Sequence, residues 1–197
     1  GPDFLKEGLQ FIQIASQKKN PFFLYYVPTA NHFQRNLNGD YAVPEFLHGE
    51  PIRGASQYTD GQKGGEREDM VLENDVAFGA LIQKLKETED PRSPGKKLIE
   101  NTLIIFTSDN GPNVGDNEGT NQESGELRGK KAKLWEGGHR VPFVLYWKGI
   151  FENGQINPNL LSLTDLFSSF ARIVGDDLQP AEAQDSLDCF DYWKDPE

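Results

Sequence analysis

The chain has 197 residues, 36% of them hydrophobic, which suits a soluble globular protein with one real core rather than a disordered segment. Its 31 acidic side chains against 20 basic ones give a net charge of −11, which repels a nucleic-acid backbone and excludes nucleic acid as the expected partner. A single cysteine, Cys189, excludes an internal disulfide and a cysteine-built zinc cluster, and no apolar stretch approaches membrane-spanning length, so no membrane partner is expected.

Phe4, Leu5, Leu9, Phe11, Ile12 and Ala15 recur at helical spacing, between Asp3 as a candidate N-cap and the basic and proline stop Lys18-Lys19-Asn20-Pro21. Phe22 to Val27 is nearly all apolar and bounded by prolines, which predicts a strand covered on both faces. From Pro28 to about Gly65 the period is lost in a stretch too long for a plain connector, with His32 at its start.

Val71, Phe78, Ile82 and Leu85 mark a second helix with Asp75 inside the apolar stripe, where a carboxylate needs partners and would pin a neighbouring loop. After the break at Asp90-Pro91-Arg92-Ser93-Pro94-Gly95 comes a second strand, Thr102 to Thr107, which stops at Ser108-Asp109-Asn110-Gly111. Val141 to Trp147 reads as a third strand, with Pro142 at its start or on an edge. Thr164 can cap a last helix ended by Gly175, and an acidic, weakly patterned tail follows from Asp176. Strands alternating with helices predict an α/β fold, a mostly parallel sheet with flanking helices, whose ligands sit beyond the carboxyl ends of the strands.

Three features at such ends carry candidate chemistry. Asp109 and Asn110 offer the hard oxygens preferred by Ca²⁺ or Mg²⁺, although Asp-Asn-Gly is also the composition of an ordinary turn. Lys130, Lys131 and Lys133 lie in a glycine-flanked loop that can hold an ammonium against a phosphate or sulfate oxygen, or simply be solvated, and spacing does not choose among the three. His32 can donate a proton to a leaving group or bind an anion, or be an exposed loop histidine. His139 reads as packing beside an ion pair of Glu136 and Arg140.

In order along the chain, Phe22 to Tyr26 with His32, Asp69 through Gly79, Asn101 to Gly111, and Leu127 to Pro142 with its Glu136-Gly137-Gly138-His139-Arg140-Val141-Pro142 run resemble the sulfatase family. So do Leu163 to Gly175 and Asp185-Ser186. The resemblance implies an alkaline-phosphatase-like α/β domain, of which residues 1–175 would be a middle-to-late part and 176–197 an acidic tail or the start of the following segment. It also implies a Ca²⁺ ion, with Mg²⁺ as the alternative, held in part by Asp109 and Asn110.

By its interval from the Glu-Gly-Gly run, Lys131 is the lysine that the resemblance assigns to the sulfate, and His32 the histidine that assists departure of the alcohol. Gln34 stands where the family commonly has a proline. The family's formylglycine nucleophile, made from Cys or Ser in a Cys/Ser-x-Pro/Ala-x-Arg motif, has no counterpart here, since Cys189 is not followed by the required Pro and Arg. The resemblance thus implies a sulfatase hydrolysing sulfated small molecules or glycans in an extracytoplasmic location. This chain would supply part of the active site, inactive without the missing amino-terminal part. The alternatives are a phosphate or phosphonate ester hydrolase of the same superfamily and a non-catalytic anion-binding module.

Overall fold

The computed structural model describes residues 1–32, 42–113, 123–179 and 181–195. The chain divides into two units, Gly1–Thr102 with Thr107–Pro142, and Leu103–Phe106 with Phe143–Glu197.

The first unit opens with helix α1, Pro2–Ala15, in which Leu5, Gly8 and Ile12 are buried at the three- and four-residue spacing of one helical face. Gly1 occupies the N-cap position expected of Asp3, and Pro2 starts the helix, where its missing N–H costs nothing. Asp3 instead lies in the first turn, where a carboxylate opposes the positive end of the helix dipole. Gly8 lets α1 approach closely: a Cβ there would lie 3.2 Å from Leu81 and 3.3 Å from the Tyr26 ring.

The segment 22–27 runs on from α1 with Phe22, Leu24 and Tyr26 half-buried and Phe23, Tyr25 and Val27 exposed. Phe22 meets Phe11 of α1 edge-to-face at 5.9 Å. This corrects the expectation of a strand covered on both faces. The alternation of strand geometry is present, but the segment joins no ladder among the described residues, because a ladder also needs a neighbour to take its backbone groups.

Strands β1, Phe46–Leu47, and β2, Glu50–Pro51, form a short antiparallel hairpin pairing Phe46 with Pro51 and Leu47 with Glu50. Helix α2, Glu66–Glu87, follows and packs on α1. Glu66, Glu68 and Asp69 in its first turn and Lys84 and Lys86 in its last complement the dipole, and the Glu68 carboxylate accepts from the Gly65 amide at 2.7 Å.

The buried face of α2 is Asp69, Met70, Glu73, Ala77, Ala80, Leu81 and Leu85, so Asp75 is exposed and does not pin a loop. The stripe read from Val71 and Phe78 was rotated from the true one because small residues, Ala77 and Ala80, and two carboxylates fill the contact. Asp69 performs the pinning instead. Its carboxylate accepts from the Gly54 amide at 2.7 Å, the Ser56 amide at 3.1 Å and the Ser56 hydroxyl at 2.6 Å. Burial acts to raise the Asp69 pKa, and these donors, with Arg53 nearby, overcome it and hold the group below the usual carboxylate range.

Asp90, at the chain break after α2, is built in the same way. It accepts from the Arg92 amide at 3.0 Å, Arg92 Nε at 2.9 Å and Asn101 Nδ2 at 3.2 Å.

The second unit contains strand β3, Ile104–Thr107, from its start to Phe106, paired with β4, Phe143–Tyr146, which begins one residue after Pro142. The mostly parallel sheet expected from the alternation of elements is therefore not found. The described residues hold two two-stranded sheets, the first of them antiparallel, and helices carry most of the ordered chain. Local pattern fixed where strands can form, but pairing depends on partners distant in the chain.

Helix α4, Leu166–Val174, ends as expected at Gly175, whose φ of +74° is the left-handed conformation a glycine adopts without steric cost. Its turn-in is fixed by Asp165, which accepts from the Ser162 amide at 2.9 Å and the Leu187 amide at 3.0 Å. Helix α5, Phe190–Lys194, lies in the segment read as a weakly patterned tail. Trp193 is buried there beside Phe143 and Phe190, and Ser169 of α4 accepts from the Cys189 amide at 2.9 Å. Cys189 is buried, and burial and the nearby Asp165 carboxylate push its thiol pKa up, away from the thiolate a nucleophile needs.

Candidate active site

All four residues singled out from the sequence belong to the first unit. The chain leaves β3 through Ser108, whose hydroxyl donates to the Asn110 carbonyl at 2.9 Å, while Asn110 Nδ2 donates to the Gly111 carbonyl at 2.9 Å. With its amide nitrogen committed to the backbone, Asn110 keeps its side-chain oxygen as an acceptor. The Asp109 side chain is exposed.

This strand end is tied to the lysine loop by backbone bonds. The Gly111 amide donates to the Gly138 carbonyl at 2.9 Å, and the Lys131 amide donates to the Pro112 carbonyl at 2.8 Å. Within the loop, the Gly137 amide donates to the Arg128 carbonyl and the Gly138 amide to the Trp135 carbonyl, both at 2.8 Å. The approach is close enough that side chains are excluded. A Cβ on Gly111 would lie 1.9 Å from the Gly137 carbonyl oxygen, and one on Gly137 would lie 2.5 Å from the Gly129 carbonyl oxygen.

The structure therefore brings the segments bearing Asp109, Asn110 and Lys131 together, through the bonds that join Gly111 to Gly138 and Lys131 to Pro112. Lys131 is half-buried and Lys133 exposed. Helix α3, Glu136–His139, is a single turn closing the loop, and Glu136 pairs with Arg140 at 3.1 Å, as expected from their spacing. His139 is exposed rather than packed, because the turn buries Gly137 and Gly138 instead.

His32 is exposed at the start of its loop, its amide donating to the Thr29 carbonyl at 3.2 Å. Asn74 of α2 anchors the preceding turn through the Ala30 carbonyl at 3.3 Å. No bond among the described residues links His32 to Asp109, Asn110 or Lys131. Gln34, the position that departs from the family pattern, lies outside the described residues.

The donors of this site suit a hard cation. A carboxylate and an amide oxygen are the ligand types of Ca²⁺, which takes six to eight oxygens, so Asp109 and Asn110 fit as a minority of such a set. Among the described residues no group of three or more His, Cys, Asp or Glu side chains stands close enough to complete it.

A family model for sulfatases matches residues 2–175. The chain belongs to the sulfatase family. It is 30% identical over 185 residues to the N-acetylgalactosamine-6-sulfatase of Sus scrofa, a match covering 94% of this chain and 31% of that protein. It is equally 30% identical over 185 residues to the N-acetylgalactosamine-6-O-sulfatase of Bacteroides thetaiotaomicron, covering 88% of this chain and 30% of the relative. Among solved structures, the PsFucS1 sulfatase from Pseudoalteromonas sp. aligns over 97% of this chain and 33% of its own length, with a TM-score of 0.67 and 32% identity. The chain thus spans about a third of the length of the sulfatases it matches.

Family membership was legible in the order of the motifs. The glycine contact between Gly111 and Gly137 was not, because the only sequence signal for it is the presence of glycines, which turns explain equally well.

Proposed function

We propose that this chain is part of a calcium-dependent sulfatase that hydrolyses sulfate esters through a formylglycine nucleophile carried outside this chain. Residues 1–175 would be a middle-to-late part of the catalytic domain and 176–197 an acidic tail or the start of the following segment. The observation that supports the reading is the pair of backbone bonds, Gly111 to Gly138 and Lys131 to Pro112, which keeps two oxygen ligands and an ammonium on adjoining segments.

Cleaving a sulfate ester moves negative charge onto the sulfuryl oxygens and the departing alcohol oxygen. Lys131 binds a sulfuryl oxygen through its ammonium and neutralises part of that charge. His32 holds a proton for the leaving alcohol oxygen, which would otherwise depart as an alkoxide. Asp109 and Asn110, with further ligands outside this chain, would hold a calcium ion that supplies Lewis-acid polarisation of the sulfate when bound. The substrate is a sulfated small molecule or glycan, in line with the relatives' names, and an extracytoplasmic location belongs to the same proposal.

The test is a rate comparison on sulfate and phosphate esters, using the full-length protein that carries this chain, with its formylglycine matured. We expect sulfate ester turnover to fall by at least about a hundredfold in Lys131→Ala and in Asp109→Ala. Variants as fast as the parent would overturn the site assignment, and faster turnover of phosphate than of sulfate esters would overturn the reaction class.

A further inference from the structure

The lysine loop carries a second feature that the hydrolytic roles leave unused. Trp135, four residues after Lys131, is 50% exposed, and Leu134 beside it is 97% exposed. The guanidinium carbon of Arg128 lies 3.7 Å above the centre of the Trp135 ring. Gly129, at φ +92°, makes this seating possible, since a Cβ there would lie 2.6 Å from Trp135 Cβ. The ring is therefore braced at its root by backbone and on one side by a cation.

Such a pair has two free recognition elements. A guanidinium stacked on a ring by its face keeps its N–H donors directed outward in its own plane, where a carboxylate or sulfate can accept them. The remaining ring surface is apolar and, being braced, loses little entropy on covering a ligand. No carboxylate among the described residues pairs with Arg128, and Lys133 adds an exposed ammonium to the same loop. In a chain of net charge −11, a cationic and aromatic loop complements an anion that also has an apolar face.

We propose that Trp135 and Arg128, with Leu134, form a subsite for a sulfated glycan, an inference that rests on the anion-binding role given above to Lys131. Trp135 takes the apolar face of a pyranose ring, and Arg128 takes a second anionic group borne by the saccharide. The substrate class is then a polyanionic saccharide rather than a simple aryl sulfate.

The probes are inorganic sulfate, galactose 6-sulfate, 4-nitrophenyl sulfate and a 6-sulfated disaccharide bearing one uronate carboxylate, titrated into the full-length protein that carries this chain, with calcium present and the formylglycine precursor left unconverted so that nothing is hydrolysed. We expect the disaccharide to bind about tenfold or more tighter than sulfate, and Trp135→Ala to remove most of that ratio while Trp135→Phe keeps it. Arg128→Gln is expected to weaken the disaccharide about fivefold and leave galactose 6-sulfate unchanged. Lys131→Ala weakens every probe.

If sulfate binding depends on Lys131 but Trp135→Ala leaves the disaccharide-to-sulfate ratio intact, the subsite is wrong and the anion site stands. A preference for 4-nitrophenyl sulfate over the sugars that Trp135→Ala abolishes would likewise overturn the glycan assignment. If the wild-type full-length protein binds none of the probes, or Lys131→Ala changes nothing, the anion-site reading itself falls and the subsite with it.

Discussion

Asp69 and Asp109 are the same residue type in the same unit, and their surroundings are opposite. Asp69 is 2% exposed and accepts three hydrogen bonds from the 54–56 loop, so its lone pairs are spent on holding that loop to α2. Asp109 is exposed, and its one contact among the described residues is a 3.5 Å approach from the Ser108 hydroxyl, too long to occupy it. A carboxylate satisfied by the protein is structural, and one whose oxygens take no close donor keeps them open to a ligand. The glycine contact beside it holds the strand end to the Glu136–His139 turn without using the Asp109 side chain, while Asn110 Nδ2 bonds the Gly111 carbonyl.

That contrast can be broken most severely at Gly111. Gly111→Ala must separate the strand end from Gly137, so we expect it to lower stability by about 3 kcal/mol and to abolish anion binding. Chemical denaturation together with sulfate titration checks it, and a fully stable, binding-competent variant would remove the close approach from the account.

Next in size is Asp69→Asn, which replaces a charged acceptor by one with a mismatched donor and should cost about 2 kcal/mol with anion binding unchanged. The same residue sets a pH dependence. Because its folded pKa is lowered, Asp69 contributes stability above the unfolded-chain value of about 3.9, and that contribution is lost as pH falls through the lower folded value. Denaturation midpoints between pH 6 and pH 2 should accordingly drop less steeply for Asp69→Asn than for the parent; parallel curves would contradict the linkage.

Asp109→Ala and Lys131→Ala should have the smallest effect on folding, within about 0.5 kcal/mol, because neither side chain is spent on the fold. Their effect appears instead in calcium and sulfate binding. A loss of several kcal/mol of stability in either would place it with Asp69 rather than opposite it.

The same contrast explains what could be read in advance. Helix α1 and the end of α4 were legible because apolar period, Pro2 and Gly175 act through neighbours in sequence. The family order of motifs brought out Asp109, Asn110 and Lys131. The sheet was misjudged because Phe22 to Val27 has the composition of a covered strand, whereas its pairing depends on chain elsewhere. Asp75 was preferred to Asp69 because the helical stripe was anchored on Val71, which proves 52% exposed. Helix α5 escaped notice since five residues show no period, and Trp193 is buried by long-range contacts with Phe143.

The clasp between Gly111 and Gly138, doubled at Pro112 and Lys131, closes a ring of chain. Lengthening such a ring costs little, roughly 0.6 kcal/mol for each doubling. Ring length is therefore a weak lever on the clasp, and the stronger one is the pair of carbonyls on Arg128 and Trp135 that take the Gly137 and Gly138 amides.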